Sequence, residues 1–106
     1  MEYLFAYGTL KDREIQENIF GRTLTGTADS LTGYAIQKIK IEEEFGMEEY
    51  PIIVPSEDTN QIIEGILYEI SELDIEKVDT YEGRHYKRIE VTLTSNKKAW
   101  AYVITT

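Results

Sequence analysis

The chain contains no cysteine. That absence removes disulfide scaffolds, thiol nucleophiles and thiolate metal sites together, and it accords with a reducing compartment. Histidine is nearly absent as well. With only His85 available, neither a histidine metal cluster nor a histidine pair can form. A Ser-His-Asp arrangement would have to use His85, and no serine sits on a nucleophile elbow. A lone histidine near a helix end reads as a surface residue. Positive charge is scarce: 11 Lys and Arg stand against 20 Asp and Glu, a net charge of −9. Such a surface repels phosphates, which argues against nucleic acid or an anionic membrane as partner. It also favours a monomer, or at most a weak homodimer.

Long apolar runs are missing too. Tyr50 to Pro55 falls far below the ~18 residues needed to span a bilayer. The stretch from Met1 to Gly8 has no basic n-region, and its apolar run is too short for a signal sequence. The expectation is a soluble, cytoplasmic protein. No Gly-rich phosphate loop ending in Lys-Ser/Thr exists. Glu42 to Glu49 is dense in glutamate but lacks the alternating Asp spacing of a calcium loop, so no metal site is expected and Glu42 to Tyr50 reads as a solvated loop.

What is present is a globular composition. The 106 residues are 42% hydrophobic, enough for one core and one domain over residues 1–106. Tyr3 to Tyr7 reads as a buried strand ending at Gly8. Asp12 to Phe20 places Ile15, Ile19 and Phe20 on one helical face, with Gly21 as its stop. Leu24–Asp29 and Gly33–Ile41 read as strands, and Pro51 to Pro55 as a short buried strand bracketed by prolines. Ile62–Ile70 is a strand with Gly65 as a possible bulge. Ser71-Glu72-Leu73-Asp74 resembles a capping box and opens a helix with Leu73, Val78 and Tyr81 inward, ending at Gly83. Tyr86–Thr94 and Ala99–Thr105 pair as a hairpin across Asn96-Lys97-Lys98. The pattern predicts an α+β fold: a small mixed β-sheet curled into a barrel, with about two short helices.

Two segments could carry chemistry. In Tyr7-Gly8-Thr9-Leu10 a buried strand turns sharply, and glycine lets a ligand approach the backbone. Successive N–H groups there could hold a carboxylate or an oxyanion, although the same tetrapeptide serves as an ordinary turn. In Asp79-Thr80-Tyr81-Glu82-Gly83-Arg84-His85-Tyr86-Lys87-Arg88, a carboxylate ends a helix beside aromatics and bases. If Tyr81 or Tyr86 shields Glu82, desolvation raises its pKa and makes it a usable base near neutral pH. The alternative is an exposed Glu82 paired with Arg84 or Lys87.

Taken together, these segments resemble the γ-glutamyl cyclotransferase-like family, in its γ-glutamylamine cyclotransferase and AIG2-like branch. The resemblance covers essentially the whole chain. It rests on Tyr7-Gly8-Thr9-Leu10, Tyr50-Pro51-Ile52-Ile53-Val54 and Gly65-Ile66-Leu67-Tyr68-Glu69-Ile70. It rests further on Leu73-Asp74 followed by Asp79, Tyr81-Glu82-Gly83, Tyr86, Arg88 and Val91. Lys11 stands where many relatives carry Arg, and Ile52 where Ala is common.

The resemblance implies a cofactor-independent reaction on a small γ-glutamyl substrate. The substrate's α-amine attacks its own δ-carbonyl and releases 5-oxoproline and a free amine. Glu82 falls on the family's catalytic glutamate. The backbone of Gly8, Thr9 and Leu10 would hold the substrate's carboxylate or oxyanion, Tyr7 would line the pocket, and Tyr86 would hydrogen-bond the substrate. Arg88 reads as structural, holding carboxylates by bidentate bonds, with Asp79 its candidate partner. Tyr102 closes the pocket or is simply core. Two other readings share the fold. One is a non-catalytic module that binds a γ-glutamyl or other small carboxylate, and the other is a biosynthetic enzyme that removes a γ-glutamyl group from a different amine.

Overall fold

The computed structural model describes the backbone of residues 1–43, 46–57 and 61–104, and the side chains of those residues apart from 39, 41–43 and 46–50. Seven strands and two helices follow in the order β1 (Glu2–Ala6), α1 (Arg13–Phe20), β2 (Gly26–Leu31), β3 (Tyr34–Glu43), β4 (Gly46–Pro55), β5 (Ile63–Ile70), α2 (Glu72–Glu82), β6 (Tyr86–Thr92) and β7 (Lys98–Ile104). Short 3₁₀ turns occupy Thr9–Lys11 and Gly83–His85.

Five strands form a mixed sheet in the order β2-β5-β1-β7-β6, and β3 and β4 form a separate antiparallel hairpin. β1 alternates strictly, and both of its faces are covered. Phe5 joins Leu67, Val91, Ala101 and Val103 on one face, together with Ile53 of β4. Leu4 and Ala6 join Tyr68, Ile70 and Tyr102 on the other, under Phe20 of α1 and Ile75 and Val78 of α2. The period of two sends successive side chains into different cores, so the central strand reads as a continuous apolar run. Each fully buried large side chain contributes roughly 1.5–3 kcal/mol.

The helices begin and end where their local chemistry dictates. Asp12 caps α1, accepting hydrogen bonds from the Glu14 and Ile15 N–H groups. The predicted capping box on α2 is complete, with the Ser71 hydroxyl and the Asp74 carboxylate each accepting a backbone N–H, an arrangement worth about 1 kcal/mol.

Four expectations need correction. The sheet does not close into a barrel. β2 and β6 remain its edges, although Thr94 N–H donates to Ser30 O at 2.9 Å and draws the two edges together just beyond β6. Residues 42–43 and 46–50 are strand, not loop, because β3 and β4 pair from Tyr34↔Pro55 through Glu43↔Gly46. Cross-strand hydrogen bonding overrides a composition unsuited to burial. The Glu42–Glu49 side chains lie outside the described residues. Gly65 is no bulge, for the register runs unbroken past Asp29↔Gly65. A Cβ there would instead meet Ala6 O at 2.6 Å and the Phe5 ring at 2.7 Å, so the glycine permits close strand approach. Finally, Leu73 and Tyr81 are exposed while Ile75 and Val78 face inward with no exposure above 3%. The inward stripe of α2 begins two residues later than the sequence suggests.

Candidate active site

The first and last strands, β1 and β7, run parallel in register Leu4↔Trp100. Their C-terminal ends therefore emerge at the same end of the sheet. β6 is antiparallel to β7 and begins at that end with Tyr86↔Ile104, and α2 arrives there because it leads directly into β6. Topology thus gathers the Tyr7–Leu10 turn, the end of α2 at Glu82, and Tyr86 from stretches far apart in sequence.

Glu82 is the last residue of α2. The chain turns off the helix through Gly83, whose φ of +72° is left-handed and strains any side-chain-bearing residue. Glu82 is half-buried. Among the described residues no ion pair joins it to Arg84 or Lys87, and both of those are exposed. Burial alone pushes the Glu82 carboxyl up from 4.5 to about 7. A carboxyl removed from water without a compensating cation favours its neutral form.

Tyrosines surround it. Tyr7, Tyr86 and Tyr102 each have their hydroxyl pKa raised, first by burial; the nearby Glu82 charge adds to this for Tyr7 and Tyr86, while for Tyr102 the Asp79 carboxylate adds more than Glu82 does. For Tyr7 the Ile53 backbone N–H pulls partly the other way. The Tyr7 hydroxyl donates to the Tyr102 carbonyl at 2.6 Å. Tyr102 is 5% exposed and donates its own hydroxyl to Asp79 Oδ1 at 2.6 Å. All three phenols stay protonated at neutral pH, so each is a hydrogen-bond donor and not a second base.

The Gly8–Leu10 turn follows directly on Tyr7. Gly8 sits under Pro51 of β4, where an added Cβ would be 3.3 Å from Pro51 Cγ. Leu10 is buried and anchors the turn in the helix-side core. Thr9 is exposed, and its hydroxyl hydrogen-bonds the Tyr81 hydroxyl at 3.0 Å. Buried Gln16 of α1 holds the turn from beneath: its amide donates to Leu10 O and accepts from Leu24 N–H, both at 2.8 Å.

Arg88 meets its expected partner, with Nε 3.4 Å from Asp79 Oδ1. The contact is single and partly exposed rather than bidentate and buried. The Arg88 guanidinium carbon lies 4.4 Å from the centre of the Trp100 ring, whose N–H donates to Glu2. His85 is exposed, as its sequence context predicted. No cluster of three metal-ligating side chains occurs among the described residues. No helix among them is long and apolar enough to cross a membrane. A shallow groove lined by Lys11, Asp29, Ser30, Glu64 and Ile66 includes none of Glu82, Tyr7 or Tyr86.

The sequence pointed to Glu82 as catalytic, to Tyr7–Leu10 and Tyr86 as substrate-binding, and to Arg88 and Asp79 as structural support. It missed the Tyr102–Asp79, Thr9–Tyr81 and Gln16 contacts. A polar residue at a core position of α1 was the one signal available for Gln16. The other contacts depend on which sheet face meets which helix.

The γ-glutamyl cyclotransferase, AIG2-like family model matches residues 4–106. An Arabidopsis thaliana protein of known solution structure is 26% identical, superposes with a TM-score of 0.78, and matches over 97% of this chain and 61% of its own. The chain thus spans about three-fifths of that relative's length. A protein named gamma-glutamyl cyclotransferase is 15% identical with a TM-score of 0.80, over 99% of this chain and 67% of its own. An uncharacterised Homo sapiens protein is 17% identical with a TM-score of 0.79, over 99% and 67%. At those two identities the likeness speaks for the fold. No functionally curated protein matches the sequence. With its family model covering nearly every residue, the chain belongs to the γ-glutamyl cyclotransferase, AIG2-like family.

Proposed function

We propose that the protein cleaves γ-glutamyl amides by cyclisation, releasing 5-oxoproline and a free amine, with Glu82 as the proton-transfer group. The observation that carries this reading is the Glu82 carboxyl, half-buried at the end of α2 with its pKa raised to about 7 and its charge felt by the hydroxyls of Tyr7 and Tyr86. A base is most effective when its pKa lies near the working pH.

The reaction is an acyl transfer and requires no electron acceptor. Glu82 takes a proton from the substrate's α-ammonium. The freed amine attacks the δ-carbonyl and forms the lactam C–N bond. The C–N bond to the leaving amine breaks as that nitrogen receives a proton from Glu82. The second α-nitrogen proton is shed as the lactam forms, and the released amine takes up one as it becomes an ammonium ion. Holding a flexible γ-glutamyl chain in the folded geometry contributes several kcal/mol through proximity. In this reading the backbone of Gly8, Thr9 and Leu10 holds the substrate carboxylate or the developing oxyanion. Tyr7 lines the pocket and Tyr86 donates to the substrate.

The test is 5-oxoproline release from γ-glutamyl-alanine, γ-glutamyl-ε-lysine and glutathione, with Glu82→Gln alongside. Release that vanishes in Glu82→Gln is the expected result, and it identifies the class of leaving amine. Wild-type release by Glu82→Gln overturns the role of Glu82. No release, with ligands still raising the melting temperature, identifies a binding module instead.

A further inference from the structure

The last turn of a helix is its least constrained part, because its carbonyls lack partners within the helix. Glu82 occupies that position in α2. Its neighbour Tyr81 is exposed, and the nearest fully buried anchor on the helix is Val78. Asp79 lies between them. Its backbone carbonyl accepts the Gly83 N–H that ends the helix, and its carboxylate accepts the Tyr102 hydroxyl. Tyr102 also accepts the Tyr7 hydroxyl on its own carbonyl. One residue of β7 therefore grips the helix carrying Glu82 with its side chain and the start of the Gly8–Leu10 turn with its backbone.

We propose that Tyr102 is a positioning residue, fixing the separation between Glu82 and the Tyr7–Leu10 turn through its hydrogen bond to Asp79. The inference rests on the cyclotransferase reading for its kinetic consequence but not for its geometry. The two bonds, each 2.6 Å, form a chain from α2 through β7 to the turn after β1. Arg88 supports Asp79 from β6. The hydroxyls near enough to feel the Glu82 charge are those of Tyr7, Tyr86 from β6 and Tyr102 from β7, and Asp79 and Arg88 adjoin Tyr102.

Tyr102→Phe removes one oxygen and keeps the ring in the core. Misplacing a reacting group by about 1 Å costs on the order of a hundredfold in rate, so kcat should fall by roughly ten- to a hundredfold with KM nearly unchanged. The acid limb of the pH–rate profile should move to lower pH as water reaches Glu82. Asp79→Asn still accepts the tyrosine hydroxyl and should keep most of the rate, whereas Asp79→Ala should behave like Tyr102→Phe. The Tyr102→Phe, Asp79→Ala double variant should be no slower than either single one.

A second readout needs no substrate. The Glu82 carboxyl is titrated by carbon-13 NMR in the free wild type and in Tyr102→Phe. A fall from about 7 toward 4.5 in the variant is expected. An unchanged Glu82 titration with unchanged kcat, even with a lowered melting temperature, overturns the proposal. So does a loss in Asp79→Asn equal to that in Asp79→Ala. If the wild type turns over none of the γ-glutamyl panel, the cyclotransferase reading fails while the titration still decides this one.

Discussion

The Arg22 guanidinium closes on the Asp74 carboxylate, Nη2 to Oδ2 at 2.8 Å and Nη1 to Oδ1 at 3.4 Å. The pair clips the turn after α1 to the first turn of α2. The Asp74 side chain is nearly buried and the Arg22 side chain half exposed, and Asp74 also completes the capping box with Ser71. The Arg22 guanidinium, with help from Ser71, holds the Asp74 carboxyl at about 2, below its ordinary 3.8.

That depression ties stability to acid pH. The contribution is fully present above about pH 4 and is lost as pH falls through about 2, because the unfolded chain takes up the proton more readily. Discounted for the exposed arginine, it amounts to roughly 1–2 kcal/mol. Asp74→Asn should lower the melting temperature at pH 7 and flatten its dependence on pH between 4 and 2. Calorimetry across that range checks both.

Glu82 carries the opposite sign. Its folded pKa of about 7 lies above the ordinary 4.5, so the folded state is favoured by protonation. The penalty is absent below about pH 4.5, grows as pH rises toward 7 and is complete above it, at up to about 3 kcal/mol. Glu82→Gln should therefore melt at a higher temperature than wild type at pH 8 and at nearly the same temperature at pH 4, while losing turnover. Equal melting temperatures at pH 8 would show the carboxyl to be hydrated. A stability gain at the cost of activity is the usual mark of a residue held for function.

Gly8→Val places branched carbons against Pro51, where even a Cβ sits at 3.3 Å. A loss of about 1–3 kcal/mol is expected from the overpacking, together with weaker binding of γ-glutamyl ligands. Ligand-dependent melting shifts separate the two effects, because a purely structural role would lower the baseline and leave the shift intact.

Gln16→Leu keeps the side-chain bulk and removes two hydrogen bonds, one buried and one partly buried. It strands the Leu10 carbonyl and the Leu24 N–H. An unsatisfied buried group costs about 1–3 kcal/mol, so denaturant unfolding should show a loss of at least about 1 kcal/mol. Gln16→Glu, which keeps the acceptor for Leu24 but sets a buried carboxylate against the Leu10 carbonyl, should lose at least as much at neutral pH.

Local chemistry was legible in the sequence by itself. The apolar run of β1, the alternation of β6 and β7, the Ser71–Asp74 capping box and the helix-ending glycines at 21 and 83 are each set within a few residues, so they can be read without knowing the fold. The Tyr7–Leu10 and Asp79–Arg88 segments could be singled out for the same reason. Only the tertiary structure decided what met across the chain. Residues 42–43 and 46–50 became strand because partners lay within one hairpin, despite glutamates that locally suggest solvent. Gly65 took its role from the Ala6 carbonyl and the Phe5 ring on a strand sixty residues earlier. Tyr102 became a donor to Asp79 because β7 lies beside β1, parallel to it, beneath α2. Pairing and packing between distant segments depend on loop closure and competition among faces, and no local pattern of residues encodes their outcome.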